Sequence, residues 1–175
     1  MKIIYLIGEP GAGKTTLTEA LTQNWVETDK IDKPVKHRFH QTPYGSALSL
    51  GWIRPTFGGT DTLGNTAILA IEPWLPTVEV DIVYGEGDRL ANARFFNLAQ
   101  SIGDFHLFYL NTEPHLAKAR RDARNAITGK AQNESWVKGR ATKHANLAKQ
   151  FNAIEIPSGL SPQQGAEFMS RFLFH

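Results

Sequence analysis

Apolar residues in this chain fall into short clusters, and two spacings alternate between them. Residues 3–7 (IIYLI) form an unbroken apolar run, the pattern of a strand covered on both faces, and Leu17, Leu21 and Trp25 then recur at helical spacing. Residues 35–41 (VKHRFHQ) and 47–53 (ALSLGWI) read as extended segments around Pro43-Tyr44-Gly45, which predicts a hairpin. A glycine-rich stretch leads to Thr60 as a helix cap, with Leu63, Ala67, Ile71 and Trp74 on one helical stripe and Pro73 and Pro76 ending or kinking it. Residues 78–84 (VEVDIVY) predict a central strand, and Asp88 is placed to cap a helix through Leu90, Phe95, Leu98 and Ile102 that Gly103 stops.

The same alternation continues to the end. Residues 105–110 predict a strand, Thr112 and Pro114 open a helix that Gly129 breaks, and Asn133 starts another through Trp136, Arg140, Leu147 and Phe151. Residues 153–156 predict a last strand, and Ser161-Pro162 begins a helix to Leu173. Strands alternating with helices imply a parallel sheet covered on both sides. Together with the GEPGAGKT stretch at residues 8–15, the expectation is a three-layer α/β P-loop NTPase fold in one domain over residues 1–175. It has about five mainly parallel strands and a helical, arginine-rich lid over about residues 115–150.

The chemistry begins where the first strand ends. Residues 8–15, GEPGAGKT, place Gly8, four residues, Gly13, Lys14 and Thr15 between a strand and a helix, which is the full phosphate-loop spacing. Glycines let backbone N–H groups turn inward around phosphate oxygens, and the positive end of the following helix attracts the anion. Gly8, Gly11, Ala12, Gly13, Lys14, Thr15 and Thr16 are therefore the candidate ATP-binding residues. Lys14 would neutralise the outer phosphates and the Thr15 hydroxyl would ligate Mg²⁺.

Charge sharpens that picture. The net charge of the 175-residue chain is only +2, yet residues 115–150 carry nine Lys/Arg against two acids, so that segment is +7 and the rest −5. Such a block suits an anion-handling lid, a nucleic-acid contact, or a plain solvated face. Arg120 and Arg124 lie one helical turn apart and can reach one anion; with Arg140 and Lys143 they are the expected lid cations.

Other roles have candidates too. Asp61, after Gly58 and Gly59, could orient an acceptor hydroxyl, or simply favour a helix start. Glu86 falls at a strand's carboxyl end, where open sheets bind ligands, and could hold Mg²⁺ through water or assist the base. Arg89 could hold acceptor phosphate, and Trp52 or Trp136 could stack on a nucleobase. His37 and His40 differ by three on an extended segment and so face opposite sides, which argues against a shared metal.

Several classes are excluded. Guanine-reading Asn-Lys-x-Asp is replaced by Asn111-Thr112-Glu113-Pro114, and 175 residues are too few for a motor-type ATPase. With no cysteine there is neither disulfide framework nor thiolate site, which suits a reducing cytoplasm. Phosphoryl transfer needs a phosphate cradle, a metal, a hydroxyl-orienting base and closing cations, all of which have candidates.

Four stretches then carry a family likeness: Gly8 to Thr15, residues 57–63 (FGGTDTL), residues 86–90 (EGDRL), and residues 132–143 (QNESWVKGRATK). In order and spacing they resemble the bacteriophage P-loop kinases of the 5-hydroxymethyluracil DNA kinase family. The resemblance implies transfer of the γ-phosphate of ATP to the hydroxymethyl group of a modified pyrimidine in phage DNA, within an infected bacterium's cytoplasm. It implies that Lys14 and Thr15 hold ATP·Mg²⁺, that Asp61 serves the hydroxyl, and that residues 120–143 form a lid and strand clamp. A free deoxynucleoside or nucleoside monophosphate kinase, and a non-catalytic ATP-binding regulatory module, remain the alternatives.

Overall fold

The computed structural model describes residues 1–53, 58–129 and 131–174; Phe57 of the second likeness stretch and Lys130 of the basic segment lie outside the described residues. Seven strands form one sheet: β1 (Lys2–Ile7), β2 (Val26–Ile31), β3 (His37–Thr42), β4 (Gly45–Leu50), β5 (Ile82–Glu86), β6 (Asp104–Tyr109) and β7 (Ile154–Glu155). Their order is β2-β3-β4-β5-β1-β6-β7. The β4–β5–β1–β6–β7 part is parallel, and β2 and β3 join antiparallel at one edge.

The expectation of about five strands is thus corrected to seven. Residues 35–53 do form the hairpin, but β2 comes in addition, and every residue of β2 is exposed. A strand without a buried face has no apolar alternation to betray it. It is held by its backbone ladder to β3 instead.

Odd and even positions along the central strands feed two cores. Ile3, Tyr5, Ile7, Leu48, Leu50 and Val83 pack with Ile71 of α2 (Ala67–Trp74), Phe95 and Phe96 of α3 (Ala93–Ile102) and Leu147 of α5 (Glu134–Gln150). Ile4, Leu6, Ala47, Ile82 and Tyr84 pack with Leu17 and Leu21 of α1 (Lys14–Leu21) and Met169 of α6 (Pro162–Ser170). His37 lies against Trp74 on the first face and His40 against Trp25 on the second, so the two histidines do point apart.

Helix ends follow local chemistry with two departures. Asn133 caps α5 by accepting from Ser135 N and Trp136 N, Gly129 ends α4 (Pro114–Thr128) in the left-handed region, and Ser161 with Gln164 forms a capping box on α6. The helix expected from Thr60 is instead a short 3-10 turn, Thr60–Thr62, followed by α2. Asp88 does not cap α3; Asn92 does, its Oδ1 accepting from Phe95 N at 2.9 Å. Asp88 is recruited by α5, as described next.

Candidate active site

The carboxyl ends of β1 and β5 lie side by side in the sheet, and both lead into glycine-bearing loops. After β1, Gly11 and Gly13 take positive φ values of 87° and 100°, which turns the loop back toward its own helix. A Cβ on Gly11 would sit 2.4 Å from the Ala117 carbonyl oxygen of α4, so the loop and the helical hairpin touch through bare backbone. Lys14 begins α1, and its Nζ donates to Gly8 O (2.8 Å) and Glu9 O (3.2 Å), folding the side chain over the loop it serves. Burial pushes this ammonium below its ordinary pKa, while Glu86, Asp61 and Asp88 pull the other way.

Three arginines of α4 and one residue of the segment before α5 surround the loop. Arg120 donates to Ala12 O at 2.8 Å, and its guanidinium comes within 3.0 Å of a Cβ placed on Gly13. Arg121 donates to Pro10 O (2.6 Å) and pairs with Glu9 (3.5 Å). Arg124 donates to Gln132 Oε1 at 3.2 Å, and its charge is felt at Lys14. A loop whose rim carries Lys14, Arg120 and Arg124 fits a triphosphate, and the Thr15 and Thr16 side chains stand exposed at its helix start.

On the other side stands Glu86, the last residue of β5 and only 4 % exposed. Its carboxyl has no hydrogen-bond partner among the described residues. Burial pushes its pKa up to about 7; Lys14 draws it down and Asp61 adds to the rise. It borders a cleft of about 10 Å³, with room for about one water, whose walls include Thr15, Thr18, Arg38, Ser49, Gly59 and Tyr84. Arg38 reaches it from β3 while donating to Gly51 O (3.2 Å) and pairing with Glu27 (3.6 Å).

Asp61 is nearby but committed. Its Oδ1 accepts from Asp88 N (2.8 Å) and Arg89 N (3.1 Å), so it ties the 3-10 turn to the loop after β5. Thr60 Oγ1 donates to Glu86 O (2.9 Å) and meets the buried Tyr5 hydroxyl at 2.8 Å. Gly59, at φ 57°, allows this approach: a Cβ there would lie 2.5 Å from Glu86 O. Arg89 points outward to the Asn65 side chain, apart from the cleft walls.

Arg140 and Lys143, expected as lid cations, instead converge on Asp88. Arg140 pairs with Asp88 Oδ2 and lies 5.2 Å from the Trp136 ring centre, and Lys143 Nζ reaches Asp88 Oδ1 at 3.0 Å. His144, 1 % exposed, completes the junction through Nε2, which donates to Asp88 Oδ1 at 2.9 Å. Burial alone would raise the Asp88 pKa, but these donors hold the carboxyl well below the usual range. The opposite ring nitrogen of His144 lies 3.1 Å from Gly8 N and 2.7 Å from Gly8 O, so α5 grips the start of the phosphate loop directly. Lys118 pairs with Asp122.

The structure therefore gathers Gly8, Gly11, Ala12, Gly13, Lys14, Thr15, Arg120 and Arg124 around one loop, with Glu86 and Asp61 beside it. Trp52 adjoins the cleft rather than lining it: it precedes Ile53, its backbone N donates to Thr62 Oγ1 at 2.8 Å, and it bridges Gly59. Trp136 stands apart, exposed on α5. Sequence reasoning missed Arg38, the Tyr84–Thr18 pair (2.6 Å between hydroxyls) and His144. An arginine beside histidines on a strand carries no motif, and His144, four residues after Arg140 on one helical face, was the one positional signal available.

The chain resembles a sugar kinase from Janibacter sp. HTCC2649 solved without ligand, at 12 % identity and TM-score 0.47 over 98 % of this chain and 93 % of that one. A comparison with curated proteins returned no match. The family described as P-loop Nucleotide Kinase3 matches residues 1–159, which takes in the phosphate loop, the β5 end and the whole α4–α5 hairpin. This chain belongs to that P-loop nucleotide kinase family.

Proposed function

We propose that this protein transfers the γ-phosphate of ATP to the hydroxymethyl oxygen of 5-hydroxymethyluracil, or a related 5-hydroxymethylpyrimidine, in DNA. The observation that carries the reading is the cleft beside Thr15. It is about 10 Å³ in volume and is walled by Glu86 and Arg38, which leaves room for one oxygen-sized group such as an acceptor hydroxyl. The DNA acceptor and the phage setting rest on the four sequence stretches that resemble the 5-hydroxymethyluracil DNA kinases.

Each residue then has a task. The loop from Gly8 to Thr16 cradles the phosphates, and Lys14 exchanges the Gly8 and Glu9 carbonyls for phosphate oxygens. Thr15 would hold magnesium, whose charge offsets that of the phosphates. Arg120 and Arg124 lie over the loop where charge builds on the moving group. Glu86, without a hydrogen-bond partner among the described residues and poised near neutrality, accepts the hydroxyl proton as the acceptor oxygen bonds to the γ-phosphorus. The bond from that phosphorus to the β–γ bridging oxygen breaks, and ADP departs with the electron pair. Asp61, with Oδ1 occupied by two backbone N–H groups, holds the loop that aims Glu86 rather than touching the hydroxyl.

The direct test is incubation with γ-labelled ATP and DNA containing 5-hydroxymethyluracil, followed by nucleoside mass analysis. A phosphorylated hydroxymethyl nucleoside supports the reading. Label that passes only to free nucleosides or nucleotides rejects the DNA acceptor, and ATP binding without any labelled acceptor rejects the kinase.

A further inference from the structure

The chain's basic character is concentrated in residues 115–150, yet the structure commits much of it internally. Arg120 and Arg121 bond loop carbonyls, Arg140 and Lys143 share the one carboxylate of Asp88, and Lys118 pairs with Asp122. Cations already paired with a carboxylate give up that partner before they can grip a phosphate, which makes them poor sources of affinity for a polyanion.

At the opposite end of the sheet the situation is reversed. Lys30, on the exposed edge strand β2, and Lys36, just before β3, both place their ammonium groups over the Trp52 ring, 4.6 and 4.7 Å from its centre. Neither pairs with a carboxylate among the described residues. Both ammoniums are attracted by the ring's electron-rich faces, and that contact leaves their charge available to an anion. Trp52 in turn adjoins the acceptor cleft: it bridges Gly59 and precedes Ile53, both of which line it.

We propose that Lys30 and Lys36, aligned by Trp52, form the phosphate grip for the DNA strand that delivers its hydroxymethyl base to the Glu86 cleft. The strand therefore enters over the β2–β4 edge and not over the arginine-rich hairpin. This rests on the DNA kinase reading above and adds the side from which the polymer approaches. The edge is open, with all six residues of β2 exposed, so a chain can run past it.

The test uses a fluorescein-labelled oligonucleotide containing 5-hydroxymethyluracil, anisotropy across a salt series, and transfer kinetics. Losing two phosphate contacts should reduce the salt slope by about 1.4 and weaken binding roughly 25-fold at 0.1 M salt. Lys30→Glu/Lys36→Glu should show at least that loss, as a rise in KM for DNA, with ATP affinity by calorimetry unchanged. Trp52→Leu should fall between, since the ammoniums lose their alignment. Lys149→Glu, an exposed cation on α5, should keep the wild-type slope. An unchanged slope in the double variant, or a larger loss in Lys149→Glu, overturns the grip while DNA kinase activity stands. Wild-type protein that binds 5-hydroxymethyl-dUMP but not the oligonucleotide overturns both.

Discussion

Replacing Glu86 by Gln probes the buried carboxyl on which the proposed chemistry turns. The folded protein holds its pKa near 7 against an ordinary 4.5. The folded state thus keeps a proton between those values that the unfolded chain has released. Folded stability must fall as pH rises through that window, and the loss is complete above about pH 8. A shift from 4.5 to about 7 corresponds to about 3 kcal/mol at roughly 1.4 kcal/mol per unit. For a chain of this length that is about 6–12 °C in Tm. Gln has nearly the same shape and no titration, so all other groups cancel when the two proteins are compared. Metal-free protein, melted in chelator at half-unit steps from pH 4 to 8, should show the wild type losing this increment relative to Glu86→Gln. Parallel Tm curves would refute the burial argument. The same variant should lose phosphoryl transfer yet bind ATP, and wild-type transfer should rise with pH as Glu86 becomes able to accept a proton.

Further outcomes follow from the same geometry. Lys14→Ala should weaken ATP binding about 10- to 100-fold by calorimetry, the worth of a charge-assisted bond, while leaving the fold intact by circular dichroism. Asp61→Ala should cost about 1–3 kcal/mol in urea unfolding because two backbone N–H groups lose their acceptor; Asp61→Asn keeps an oxygen and should retain both stability and transfer. Equal loss of transfer in Asp61→Asn and Glu86→Gln would return the base role to Asp61. Gly59→Ala should cost about 1–3 kcal/mol or more, since its φ of 57° and the 2.5 Å approach to Glu86 O leave no place for a methyl group. His144→Phe should preserve packing but lower the urea midpoint by about 2–4 kcal/mol equivalent, having stripped donors and acceptors from Asp88 and Gly8.

The parallel core of the sheet was legible because its strands are apolar on both faces, and helix ends were legible where side-chain chemistry fixes them, as at Asn133, Ser161 and Gly129. β2 was not, because VETDKI turns no residue inward. The phosphate loop announces itself by spacing alone, since its function is carried by backbone. The acceptor side is different in kind. Arg38, Ser49 and Tyr84 come from three strands and meet only once the sheet is assembled. Asp88 looked like a helix cap for local reasons, and a contact from α5, 52 to 56 residues away in sequence, outcompeted that role. The basic block was read as available charge, which composition reports faithfully; what composition cannot report is that Asp88 and the loop carbonyls engage four of its nine cations, Arg120, Arg121, Arg140 and Lys143.

The Lys14 ammonium is partly withdrawn from water by the fold itself and rests on two carbonyl oxygens. Nucleotide arrival is then a swap of acceptors rather than a dehydration. The desolvation penalty that usually blunts a buried cation is met during folding, once, and not at every catalytic cycle. The same arrangement shields the bare loop from adventitious anions, because a weak acceptor such as chloride gains little by displacing two well-placed carbonyls, whereas a polyphosphate offers several oxygens at once.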